Sequence, residues 1–397
     1  MKQLIIYLLI LSHLTIFAQE KPKWDVNNPP GNFKEVSFTT NEGTWMNVDV
    51  SPDGSMIAFD MLGDIYTMPI SGGTATAIRT GLAWEVQPRW SPDGKKILLT
   101  SDSAGGDNIF YMDIDGKNAK QITKESFRLL NNAVWMPDGQ YIIARKHFTS
   151  GRSLGAGEMW MYHISGGEGI QLTKRKNDQQ DVNEPTISPD GKMLYYSEDV
   201  YPGGYFQYNK DPNSEIFVIN SNNIETGETK RVTGGPGGAC RPQISNKGDK
   251  IAYVRRVREK SVLYIYEIST GREWAIYDQL SKDQQEAWTV FGIYTGFDWM
   301  PEDKGIVIWA KGKIVKINMA AKKATDIPFT VNAKHKLMET VQFENKAYEE
   351  DFDVKVLRNA VTSPDGSQLV FSALGSLYVS KNGQTPVRLT TGTDFEA

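Results

Sequence analysis

Four histidines and one cysteine are all the imidazole and thiol groups in these 397 residues. His13 falls in an apolar amino-terminal run, which leaves His147, His163 and His335 for chemistry. They form no His-x-His pair and no pair at helical spacing, so no mononuclear or di-zinc hydrolase centre can be built from histidine here. Carboxylates are plentiful, yet no spacing singles out an acid/base pair. Cys240 has no partner for an internal disulfide and reads as a small buried thiol. Gly151-Arg152-Ser153-Leu154-Gly155 fits the nucleophile-elbow pattern, but that motif needs a following helix, and Glu158–Ile164 (EMWMYHI) reads as a strand. Asp113-Ile114-Asp115-Gly116 lacks the later oxygen ligands of a calcium loop and reads as a turn. Gly166-Gly167-Glu168-Gly169 introduces a strand and not the helix that phosphate binding requires. The expectation is a chain without a catalytic or metal site of its own.

What positions these residues is a repeat. Ser51-Pro52-Asp53-Gly54 returns as Ser91-Pro92-Asp93-Gly94, Met136-Pro137-Asp138-Gly139, Ser188-Pro189-Asp190-Gly191, Ser245-Asn246-Lys247-Gly248, Met300-Pro301-Glu302-Asp303 and Ser363-Pro364-Asp365-Gly366. The copies lie 40, 45, 52, 57, 55 and 63 residues apart, starting near the ~40–45 residues of a four-stranded propeller blade. Proline presets the first central position of a hairpin turn, aspartate bonds locally, and glycine takes the left-handed residue. Three further segments follow in fixed order, as in Lys96–Ser101, Asn108–Ile114 and Ala119–Lys124, each rich in β-branched and aromatic residues. Four antiparallel strands per repeat cannot cover their own two faces, so neighbouring repeats must. The fold expected is all-β: a seven-bladed β-propeller of four-stranded antiparallel blades, almost without helix.

Residues 33–397 are assigned to the propeller, 19–32 to a linker and 1–18 to a signal peptide. Lys2, the apolar run Leu4–Phe17 and Ala18 have the order of a secretory leader, and the run is shorter than a membrane span requires. Cleavage there takes the formal charge from −4 to −5, which gives no electrostatic reason to bind nucleic acid. The chain is thus expected to be exported, periplasmic or secreted, with no stable membrane span after cleavage.

The strand before each turn borders the central channel of a propeller. Alternation along these strands puts one polar set on one face, and its members are the candidate channel lining: Asn47, Asp49, Gln87, Arg89, Asn132, Glu184, Arg241, Gln243 and Asp298. Their mixed charge suits a polar mouth for a small charged group or a peptide. The intervening positions, among them Trp90, Trp135 and Trp299, read as core between blades.

The repeat, an apolar strand, Ser-Pro-Asp-Gly, an apolar strand, an aromatic strand and a Leu/Ile-Thr ending, resembles the TolB-type, WD40-like (PD40) propeller repeat. Gly43–Pro69, Lys146–Gly167, Glu184–Asp190, Tyr205–Asp211 and Ala373–Val379 are more specifically similar to the amino-terminal propeller of exported bacterial propeller–amidohydrolases. That resemblance implies further repeats and a metal-dependent amidohydrolase domain cleaving carbon–nitrogen bonds beyond Glu396-Ala397, with the divalent metal held there and no cofactor in this chain. Two readings follow. The propeller gates or shields the active site of that carboxy-terminal hydrolase domain, or it is a stand-alone TolB-like scaffold holding an envelope protein or peptide. Segments 199–213 and 326–355 read as long loops on a binding face. Ring closure is expected from Phe33–Thr40 pairing with the last blade.

Overall fold

In the computed structural model the described residues are 24–126, 129–149, 155–200, 210–287, 289–339, 346–347 and 349–396. The leader assigned to residues 1–18 and most of the Gly151–Gly155 motif lie outside them. The chain divides into two compact units, Met1–Glu339 and Thr340–Ala397. Seven four-stranded antiparallel sheets form as expected, six in the first unit and one in the second. Among the described residues the only helical element is a 3-10 turn at Pro301–Asp303.

Each sheet follows chain order from the inner strand outward, as in Glu85–Trp90, Lys96–Ser101, Asn108–Asp113 and Lys120–Gln121 of blade 2. The inner strands of the other blades in this unit are Val48–Val50, Leu129–Trp135, Val182–Ile187, Cys240–Ile244 and Asp298–Trp299. The two middle strands carry the core: Ile57, Ile97, Ile142, Leu194, Ile251 and Ile306 are fully buried at equivalent places after each turn. Their faces are covered by the adjacent blades, which is how a sheet too small to hold its own core becomes stable.

The six sheets close on themselves. Blade 6 meets blade 1 through Val48 N–H donating to the Gly296 carbonyl at 2.9 Å. One hydrophobic cluster also joins Val48, Val50, Phe59 and Met68 to Trp299, Ile306, Ile308 and Ile314.

The repeated tetrapeptide performs both of its jobs visibly. Within a turn, Ser51 Oγ donates to Asp53 Oδ1 at 2.6 Å and accepts the Met56 N–H at 2.9 Å, a pattern repeated at Ser91, Ser188 and Ser363. Between turns, proline sits against the next glycine: a Cβ built on Gly54 would come 2.9 Å from Pro301, and one on Gly248 3.1 Å from Pro189. Where the motif decays, hydrogen bonds replace that packing. Asn246 stands in the proline position of turn 5 and Asp303 in the glycine position of turn 6, and Asp303 Oδ1 accepts the Asn246 N–H at 2.7 Å.

The closing strand differs from expectation. Phe33–Thr40 pairs over eight residues with Phe329–Met338, which in turn pairs in parallel with Gly73–Thr74 of blade 1. Phe329–Met338 lies inside the 326–355 segment read as a loop. Its alternation is real, with Phe329, Val331 and Ala333 buried, and the Phe329 ring lies tilted against Phe59 of blade 1 with centroids 5.8 Å apart. It follows the four strands that complete blade 6 and belongs to a separate sheet, so the repeat pattern does not announce it. The second unit, by itself, is the sheet Arg358–Thr362, Gln368–Ala373, Ser376–Lys381 and Val387–Arg388, with Phe371 and Ala373 buried.

Candidate functional site

The nine residues read as channel lining gather around the axis of the six-bladed unit in two tiers. The upper tier is set by a bulge. In blades 2 to 5 the inner strand carries one extra residue between its ladder pairs, at Val86/Arg89, Asn131/Val134, Asn183/Thr186 and Cys240/Gln243. The bulged residues Gln87, Asn132, Glu184 and Arg241 have φ of 61°, 51°, 58° and 54°. A left-handed non-glycine residue costs about 1–2 kcal/mol, and a bulge re-aims its side chain. The return is a hydrogen bond to the neighbouring blade at nearly every step. Gln87 N–H donates to Asp60 Oδ2 at 2.7 Å, Asn132 N–H to Gln87 Oε1 at 2.8 Å, and Arg241 N–H to Glu184 Oε2 at 2.6 Å. The Glu184 N–H instead finds Asn183 of its own strand at 2.9 Å, and Asn183 also accepts Asn132 Nδ2 at 2.8 Å.

The lower tier repeats the device two residues on. Asp49 Oδ2 accepts the Trp90 N–H at 2.6 Å, Thr186 Oγ1 the Ile244 N–H at 3.3 Å, and Asp298 Oδ2 the Val50 N–H at 3.3 Å. Arg89 Nη1 pairs with Asp49 Oδ1 at 2.8 Å, and Gln243 Nε2 donates to Asp298 Oδ1 at 3.0 Å. The tryptophans of the following position add a third link: Trp135 Nε1 donates to the Arg89 carbonyl at 3.2 Å and Trp299 Nε1 to the Gln243 carbonyl at 2.9 Å.

Electrostatics follow from this burial. Desolvation, with the Asp49 charge next, pushes the Asp298 carboxyl up to about 8, against the pull of Arg89. Asp49 is raised as well, by burial that outweighs its pairing with Arg89. Burial raises Asp60 to about 6, although the Gln87 and Asn47 N–H groups stabilise its charge. Burial lowers Arg241 to about 10, and it lifts the Cys240 thiol well above its usual range, so that thiol is a packed and unreactive group.

One end of the channel is closed by the chain entering blade 6. Residues 289–297 reach blades 1 to 4: Phe291 O accepts Gln87 Nε2 at 2.8 Å, and Val290 O accepts Arg145 Nη1 at 3.4 Å and Asn183 Nδ2 at 3.3 Å. Glu184 Oε1 accepts the Ile293 and Tyr294 N–H groups at 2.6 and 3.1 Å, and the Gly296 N–H donates to Asn47 Oδ1 at 2.7 Å. At the turn-bearing end a funnel of about 360 Å³ remains, floored by Asp49, Arg89, Gln243 and Asp298 and rimmed by Pro52, Pro92, Pro137, Pro189, Asn246 and Pro301. Sequence reasoning missed this plug, and it missed Asp60 and Asn183. Asp60 had a signal, an acid inside the apolar run Met56–Met61; the plug had none. Among the described residues no three His, Cys, Asp or Glu side chains gather closely enough to hold a metal ion.

Comparison with known proteins agrees with this architecture. Residues 15–207 match the TolB beta propeller domain family, PD40. An uncharacterized protein of Agrobacterium fabrum is 28% identical over 216 residues, 52% of this chain and 68% of that protein. The uncharacterized peptidase YuxL of Bacillus subtilis is 32% identical over 154 residues, 37% of this chain; the match spans only 20% of the peptidase. The crystal structure of TolB from Acinetobacter baumannii superposes with a TM-score of 0.52 at 16% identity, covering 72% of this chain and 66% of that one. With four-stranded antiparallel blades in a closed ring, the chain carries a β-propeller, and its residues 15–207 are similar to the TolB beta propeller domain family.

Proposed function

We propose that this chain is a non-catalytic, exported docking module that presents the funnel at the turn-bearing end of its propeller to a partner. The closed axis carries this reading. The polar groups that chemistry would need are committed to inter-blade hydrogen bonds, and residues 289–297 block passage through the ring, so the module covers or holds and does not conduct. A wet, partly apolar concavity with a few convergent polar groups is the kind of surface that recognises a ligand or a partner segment.

The partner favoured by the amidohydrolase resemblance is a metal-dependent hydrolase domain acting on carbon–nitrogen bonds, which would supply the divalent metal and which the propeller would shield. The match to one fifth of a much longer peptidase supports a propeller joined to a hydrolase. The likeness to TolB over most of the ring favours the second reading, an envelope scaffold that captures a protein or peptide. The leader-like residues 1–18 support export, and no helix among the described residues is long and apolar enough to cross a membrane.

The test is capture from the cell envelope by the tagged chain, alongside Pro92→Arg and Pro137→Arg on the exposed funnel rim. Loss of the captured partner in both variants supports docking at the funnel, and its identity, hydrolase or envelope protein, separates the two readings. Unchanged capture by both variants refutes the funnel as the docking face.

A further inference from the structure

Beneath the funnel floor lies a smaller cavity of about 10 Å³, lined by Asn47, Gln87, Arg89, Asn132, Val134 and Arg241 among others. Its chemistry is unbalanced. Arg241 is 4% exposed, and its guanidinium donates only to two neutral amide oxygens, Asn132 Oδ1 at 2.9 Å and Asn47 Oδ1 at 3.3 Å. Its buried Nε–H has no hydrogen-bond partner among the described residues. Nor does any described carboxylate make an ion pair with it: Glu184, the acid that influences it most, is spent on the Arg241 backbone N–H, Ser197 and the plug.

A second guanidinium stands beside the first. A Cβ built on Gly296 would come 3.0 Å from Arg241 Nη2 and 3.2 Å from Arg89 Nη2, so both cations crowd one point on the axis. Arg89 has Asp49 as an ion-pair partner at 2.8 Å; Arg241 makes no ion pair among the described residues, and Glu184 and Asp60 act on it only through space. A guanidinium carries five donors and cannot shed its proton at ordinary pH, and a buried charge left unpaired is costly.

We infer that the channel holds a small inorganic anion of halide size, bound at the cavity between Arg241 and Arg89 and completing the hydrogen bonding of Arg241 Nε. The cavity's size selects it. A space of this order takes one water-sized particle, which excludes sulfate, phosphate or a carboxylate-bearing ligand. The anion would neutralise the like charges that meet at Gly296 and lock blades 1, 2, 3 and 5 to the axis. The site shares Arg89 with the funnel floor but lies beneath it, and it does not depend on the docking reading.

The experiment uses the full chain. Crystals soaked in sodium bromide should give an anomalous peak within hydrogen-bond reach of Arg241 Nε and Arg89. The unfolding midpoint should rise saturably, by about 2–4 °C, when sodium gluconate is replaced by sodium chloride at equal ionic strength. Arg241→Gln should lose the halide response. Because that variant removes several bonds and can fail to fold, Asn132→Asp is the second probe: it places a fixed carboxylate beside Arg241 Nη1 at nearly constant shape and should make the midpoint indifferent to halide. An ordered water with no anomalous signal at this position, or equal midpoints in chloride and gluconate, overturns the inference.

Discussion

Replacing Glu184 by glutamine tests whether the channel plug is held as the geometry indicates. The carboxylate is fully buried and accepts four hydrogen bonds. Oε1 takes the Ile293 and Tyr294 N–H groups at 2.6 and 3.1 Å, and Oε2 takes the Arg241 N–H and Ser197 Oγ, both at 2.6 Å. Glutamine keeps the shape but turns one oxygen into a donor, so one pair must face an NH₂. The cheaper orientation keeps the oxygen on Ile293 and Tyr294 and leaves the Arg241 N–H only its 3.0 Å bond to Ser197 Oγ, because the Ser197 hydroxyl can turn round and accept. A hydrogen bond to a charged group contributes about 1.5–3 kcal/mol. With one such bond lost and two reduced to neutral strength, the expected cost is about 3 kcal/mol. Each 1.4 kcal/mol is about tenfold, so native-state hydrogen exchange at Ile293 and Tyr294 should quicken by roughly a hundredfold, as read by residue-resolved exchange at fixed pH. Wild-type protection of those two amides in the variant would refute the claim that Glu184 anchors the plug.

Two further perturbations probe the same axis. Asp298 titrates near 8 when folded against an ordinary 3.8, so between those values the unfolded chain is ionised where the folded one is not, and stability must fall as pH rises from about 4 through 8. The urea midpoint of the wild type should therefore decline across that window and Asp298→Asn should lessen the decline, leaving the share due to the other raised carboxyls, Asp49 and Asp60 among them; parallel slopes in the two proteins would contradict the assignment. Gly296→Ala puts a methyl 3.0 Å from Arg241 Nη2 and 3.3 Å from Asn47 Oδ1, an overpacking expected to cost about 1–3 kcal/mol in urea unfolding, whereas an unchanged midpoint would mean that the two arginines do not meet there.

The blades were legible because a turn is local. Pro52, Asp53 and Gly54 dictate a hairpin within four residues, and the run Met56–Met61 needs only its own side chains to read as a strand; seven such copies with the right spacing leave little else to build. The identity of the axial residues was legible for the same reason, since each stands at a fixed distance before its turn. What they do there was not. Period-two alternation assumes an unbroken ladder, and the left-handed bulges at Gln87, Asn132, Glu184 and Arg241 break it to send each side chain toward another blade, 45 residues away from Gln87 to Asn132 and 109 from Arg241 to Asn132.

The sequence by itself determined the repeat, the four-stranded sheets, the thin inventory of catalytic groups and which residues reach the axis, because those depend on contacts between near neighbours in the chain. Only the tertiary structure decided that the sheets of blades 6 and 1 meet, that Phe33–Thr40 pairs with Phe329–Met338, and that residues 289–297 seal the channel. These are matters of which surfaces meet across about 100 to 300 residues. They are settled by the sum of many inter-blade hydrogen bonds and buried apolar contacts, none of which leaves a mark at a single place in the sequence.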